Sequence, residues 1–203
     1  RTFLNVPLIT QIMGLDMYLD GVFSKKAYFQ EDRSVPMDDP VQSESLKLAI
    51  ASIDFPKSVP LDFSYRHFEV RLPIATWRKA NQIHKYVVDN FGKGVDDQKS
   101  IYLADEHLKQ ILDVVKKVGN DPVKAEKFLP PTAGFFFGSQ EIDSYYWQDL
   151  AYTKEVLEKT LAYQKEQARI YKEAELKEYQ KDRKDRTFPD PKGFDSFRYR
   201  ASW

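Results

Sequence analysis

The stretch ATWRKANQIHKYVVDNF (75–91) concentrates side chains that can do chemistry. Read at helical spacing, Trp77, Ala80, Asn81, His84, Val87, Val88 and Phe91 share one face. Asn81 and His84 are then polar groups on an apolar stripe. Buried polar groups are paired, so one reading is a satisfied core pair that pins neighbouring loops. The other is that both line a pocket, where His84 titrates near neutral pH. Arg78, Lys79 and Lys85 on the same helix can reach a phosphate, or form an ordinary solvated face.

A second stretch, GFFFGSQEIDSYYWQD (134–149), sets consecutive phenylalanines between glycines and follows them with acids and tyrosines. Consecutive aromatics suit a strand covered on both faces. Gly138-Ser139 then turns the chain, and Asp143 caps the helix that follows. The functional reading places Ser139, Glu141, Asp143 and Tyr146 around a cleft between that strand and the helix from Thr76. The candidate ligand-binding set is therefore Trp77, Arg78, Asn81, His84, Lys85, Ser139, Glu141, Asp143 and Tyr146. In an enzymatic version Arg78 and Lys85 hold an anion, His84 is the acid or base, and Asp143 orients it.

Other constellations carry less. Asp96 and Asp97 in GKGVDDQKS lack the spacing of a calcium loop and read as a turn. His67, His84 and His107 show neither HxH nor HExxH spacing, so no metal site is expected. Neither GxGxxG nor GxxxxGK[ST] occurs, nor a GxSxG elbow, and no cofactor is expected. Cysteine is absent, which excludes thiolate nucleophiles and disulfides. Lys+Arg and Asp+Glu are both 31, so there is no chain-wide basic field for nucleic acid. No apolar run approaches the ~18 residues of a membrane span. The start, RTFLNVPLITQI, lacks a signal-peptide layout, and Met13 is a candidate natural start.

The elements that must position these groups follow from periodicity and punctuation. Residues 14–29 suggest strands with a turn near Asp20-Gly21. Residues 30–45 read as a loop, 46–53 are ambiguous, and Pro56 and Pro60 bracket a turn. FSYRHFEVRL (63–72) has strand patterning with a bulge near Arg66-His67. The helix over 75–91 takes Thr76 as its cap and ends at Gly92. A short strand at 100–103 precedes a helix over 105–118, with acids in its first turn and lysines in its last. Asp121-Pro122 opens a short helix through about Phe128, and Pro130-Pro131 breaks the chain.

A long helix runs from about Ser144 to the early 180s, with an apolar seam of Tyr146, Leu150, Thr153, Leu157 and Leu161. From Gln164 the seam thins and charge dominates. The expected organisation is an extension (1–12), a single domain (13–163), a projecting charged helix (164–186) and an aromatic tail (187–203) that docks somewhere. The fold class is α+β: a small mixed or antiparallel sheet packed on two or three helices.

Several stretches in combination resemble one family. MGLDMYL (13–19), WRKANQIHKYVVDN (77–90), GVDD (94–97) and LPPTAGFFFGSQEIDSYYWQDLAYT (129–153) are similar, in this order, to short proteins encoded by bacteriophages and prophages. The resemblance covers about residues 13–160 and implies a start at Met13. The family has no established activity, so it implies no catalytic residue. A phosphoglycerate-kinase activity, attached to some members, is not expected here. Such kinases need two large nucleotide-binding halves, more than 203 residues supply.

The expected function is a non-enzymatic phage accessory protein in the host cytoplasm. It binds a small anionic ligand, or a host or phage protein through the C-terminal helix and tail. The alternatives are an enzyme acting on a nucleotide or phosphorylated metabolite, and a virion component assembled through that helix and tail.

Overall fold

The computed structural model describes residues 14–26, 67–134, 137–185 and 193–203. Chain contacts divide the protein into two units, residues 1–23 with 70–203, and residues 24–69. The account below concerns the first. The expectations for residues 1–12, for the loop and ambiguous segment through Pro60, for Phe63, Tyr65 and the bulge at Arg66, and for Phe135 and Phe136 lie outside the described residues.

The architecture is α+β, with a four-stranded antiparallel sheet and helices packed on it. In chain order come β1 (Asp16–Lys26), β2 (His67–Arg78), α1 (Asn81–Phe91), β3 (Ile101–Leu103), α2 (Asp105–Val118), α3 (Pro122–Phe128), α4 (Ser144–Tyr179) and β4 (Ser196–Ser202). The sheet order is β2-β1-β4-β3. The last strand therefore lies inside the sheet. It pairs with β1 from Asp16↔Ser202 to Val22↔Ser196, and with β3 from Ile101↔Tyr199 to Leu103↔Phe197.

Two-residue periodicity explains which side is buried. Met17 and Leu19 of β1, Ala75 and Trp77 of β2, and Phe197, Tyr199 and Ala201 of β4 all enter the core. The helices cover that face with Ile83 and Val87 from α1, Leu108, Ile111, Leu112 and Val115 from α2, and Tyr146, Leu150 and Leu157 from α4. The alternate residues Tyr18, Arg198 and Arg200 form contacts of their own. The Arg200 guanidinium sits 4.3 Å over the Tyr18 ring, and Arg198 Nε donates to Ser100 Oγ at 2.6 Å.

Several sequence expectations need correction. Residues 16–26 form one strand, with no turn at Asp20-Gly21. Gly21 is there for space: a methyl group on it would lie 2.4 Å from the Phe194 ring. The helix from Thr76 begins later. Trp77 alternates inward with Ala75 as part of β2, and α1 starts at Asn81 after Ala80. The phenylalanine run forms no strand among its described residues. Phe137 is buried, but its N–H bonds Gly134 O in a turn.

The aromatic tail docks as expected, and its described part does so as a strand of the sheet, Ser196–Ser202, with Phe197 fully buried. Gln164, expected to start a projecting helix, holds that tail. Its Oε1 accepts from Phe194 N at 2.7 Å, and its Nε2 donates to Phe194 O at 2.9 Å and to Asp105 Oδ1 at 3.1 Å. Beyond it α4 runs on with no buried side chain. Among the described residues no helix is long and apolar enough to cross a membrane.

Candidate functional site

A cavity of about 430 Å³ opens where the turn between β2 and α1 meets the loop before α4. Arg78 closes β2, Lys79 follows in that turn, and Asn81 and Gln82 come from the first turn of α1. Ser139, Glu141 and Asp143 come from the loop, and Tyr145, Tyr146 and Asp149 from the start of α4.

Local backbone chemistry fixes this wall. Lys79 has φ 63, a left-handed conformation that a residue with a Cβ seldom adopts. It is held there because its N–H donates to Leu15 O at 2.7 Å while its own carbonyl accepts from Asn81 N at 2.8 Å. Its side chain runs between two glycines. A methyl group on Gly138, itself at φ 87, would lie 3.0 Å from Lys79 Cβ, and one on Gly14 would lie 3.2 Å from Lys79 Cε. Strained residues of this kind cluster at binding sites.

Asn81 ties the loops together. Its Nδ2 donates to the carbonyls of Phe137 and Ser139, both at 2.9 Å, and its Oδ1 accepts from Thr132 N at 2.8 Å. At 2% exposure, it has both donors and one acceptor position committed to the wall rather than to a ligand. Tyr146 is similarly occupied: its hydroxyl donates to Leu129 O at 2.9 Å, and burial pushes it up to about 12. Asp143 caps α4, accepting from Tyr145 N at 2.9 Å and Tyr146 N at 3.0 Å. Ser139 Oγ accepts from Glu141 N at 3.0 Å.

Asp149 is the perturbed group. Burial pushes its carboxyl up to about 6; the Gln82 amide opposes that shift and the nearby Asp143 carboxylate adds to it. Such a group exchanges a proton close to neutral pH. The cations Arg78 and Lys79 and the acids Glu141, Asp143 and Asp149 line the same cavity. Arg78 is already engaged, with Nε 3.9 Å from Asp16 Oδ1. Among the described residues no cluster of His, Cys, Asp and Glu is arranged to hold a metal ion.

The remaining sequence candidates lie elsewhere. Trp77 is core, its Nε1 donating to Thr153 Oγ1 at 2.8 Å. Lys85 is on the surface and pairs with Asp89 at 2.6 Å. His84 is 2% exposed, between Tyr199 Oη at 2.8 Å and Asp96 Oδ2 at 3.0 Å. The Phe137 and Trp203 rings stand edge-on to it. A neutral imidazole satisfies both partners, with Nε2–H donating to Asp96 and Nδ1 accepting the Tyr199 proton. Burial drives that hydroxyl well above its ordinary value, with the Asp96 charge adding, so it stays a donor. The space beside His84 is about 10 Å³, room for a water and no ligand. His84 is thus the paired core residue, and Asp96 is its partner rather than a free turn residue.

Gln82, Tyr145 and Asp149 escaped the sequence reading. The signal for Asp149 was its place three residues beyond Tyr146, one turn along the same helix face. Gln82 was hidden by the early helix start, which aimed the face through Trp77 and His84 instead. No protein-family model, curated protein or solved structure matches this chain.

Proposed function

We propose that this chain is a non-enzymatic, small-ligand-binding accessory protein of bacteriophage or prophage origin, acting in the host cytoplasm. Its binding site is the cavity between the β2–α1 turn and the start of α4. The phage context rests on the motif resemblance. The binding reading rests on one observation: Arg78, Asn81, Ser139, Glu141, Asp143 and Tyr146 are far apart in sequence and line one cavity of about 430 Å³. That volume falls in the ~300–1,000 Å³ range of sites for small molecules. Lys79, with Arg78 beside it, receives an anionic group. Loops pinned by Asn81 keep the wall preformed, which lowers the ordering cost of binding.

Thermal denaturation with nucleotides, sugar phosphates and inorganic phosphate tests this. A ligand at 100 times its Kd raises stability by ~2.7 kcal/mol. An unchanged Tm with every compound overturns the proposal.

The Asp149 carboxyl favours a second reading, an enzyme acting on a nucleotide or phosphorylated metabolite. A group poised at about 6 suits acid–base catalysis near neutral pH. Turnover of a bound ligand that Asp149→Asn abolishes without loss of binding separates this reading from simple binding. A protein partner, or a neighbouring subunit in a virion, would use the C-terminal part of α4, where Ile170, Leu176 and Tyr179 are exposed. Phe197 and Tyr199 of the tail are sheet core.

A further inference from the structure

The cavity wall is not simply cationic. Lys79 and Arg78 line it beside Glu141, Asp143 and Asp149, so with every group ionised the acids outnumber the cations. A ligand that was an anion and nothing more would sit beside carboxylates that only accept hydrogen bonds and repel its charge.

Gln82 is the second observation. It lines the cavity and is 3% exposed. Among the described residues its only side-chain hydrogen bond runs from Nε2 to Asp149 Oδ2 at 3.5 Å. That exceeds the ~2.7–3.2 Å of ordinary N–H···O bonds. A nearly buried amide with so long a bond keeps most of its capacity for a better partner. The Asp149 side chain has no other hydrogen-bond partner among the described residues. An amide and a carboxylate thus stand side by side in a cavity wall, each with open hydrogen-bonding positions. Among the described residues no buried side-chain N or O atom lacks a partner, so those positions open to water in the cavity, and an incoming N–H donor replaces that water. Side-chain amides and carboxylates recognise the amino-bearing edges of bases by this same pairing. The exposed Tyr145 ring on the same wall offers a stacking face.

Resting on the binding reading above, we infer that the cavity selects a dipolar ligand: its anionic group lies at Lys79, and an amine or amino-substituted ring is received by Asp149 and Gln82. An amino-bearing nucleoside monophosphate has this chemistry, as does a phosphorylated amine.

Titration calorimetry on the full chain at neutral pH tests it with matched probes. Adenosine monophosphate is set against inosine monophosphate, cytidine monophosphate against uridine monophosphate, and phosphoethanolamine against glycerol phosphate. The amine-bearing member of at least one pair binds ~10-fold or more tightly than its partner. Asp149→Leu, which removes the acceptor at similar size, removes that preference. Equal affinity within every pair, or a preference that survives in a folded Asp149→Leu variant, overturns the inference and leaves anion binding standing. Heat from none of the probes removes both.

Discussion

At the scale of single residues, the site turns on groups whose neighbours were set by the chain's path rather than by helical spacing. Asp149 shows this best. Its folded-state pKa is raised, so the folded protein binds the extra proton between about pH 4 and the folded value of about 6. The stability this gives is full below pH 4 and is lost as pH rises through about 6. Asp149→Asn removes the desolvated charge. It should therefore raise stability at pH 7–8 by about 1 kcal/mol, discounted for partial exposure, and change it little at pH 4. Urea denaturation at both values checks this; a variant less stable than wild type at pH 8 contradicts the assignment. Asn81 and His84 were legible from sequence as paired core groups. Which partners they take was not, because Thr132, Phe137, Ser139, Asp96 and Tyr199 meet them only through tertiary contacts.

At the scale of elements, the helices were the legible part. The helix over 105–118, the short helix after Asp121 and the start of the long helix at Ser144 all follow from periodicity and caps, and the structure has them there. The strands were harder because their pairing is non-local. Gly21 looked like a turn because the Phe194 ring above it is supplied from the far end of the chain. Trp77 was read on a helix face because its spacing to Ala80, Asn81 and His84 suits one; the Lys79 turn leaves it instead on β2. The aromatic tail was expected to dock, but with Pro189, Pro191 and Gly193 before it nothing in its pattern marked it as a strand. Yet β4 lies between β1 and β3 and contributes Phe197, Tyr199 and Ala201 to the core. Deleting residues 194–203 should abolish cooperative thermal unfolding, since loss of Phe197 alone costs ~3–5 kcal/mol. A truncated chain that melts at the wild-type Tm would show the tail to be dispensable.

For the whole molecule, the sheet and helices bring the first turn of α1 against the start of α4 and so close a cavity that neither forms alone. Arg78, Asn81, Ser139, Glu141, Asp143 and Tyr146, singled out from the sequence, line that cavity, whereas His84, on which the sequence reading centred, does not. The structure centres it on Lys79, Gln82 and Asp149. The most direct test compares Lys79→Ala with Lys85→Ala. Both remove one lysine from the same short stretch, but only Lys79 lines the cavity, while Lys85 pairs with Asp89 on the surface. With a phosphorylated ligand that raises the wild-type Tm, Lys85→Ala should keep the shift and Lys79→Ala should lose most of it. A shift that survives Lys79→Ala and disappears in Lys85→Ala would place the ligand outside the cavity and contradict the account.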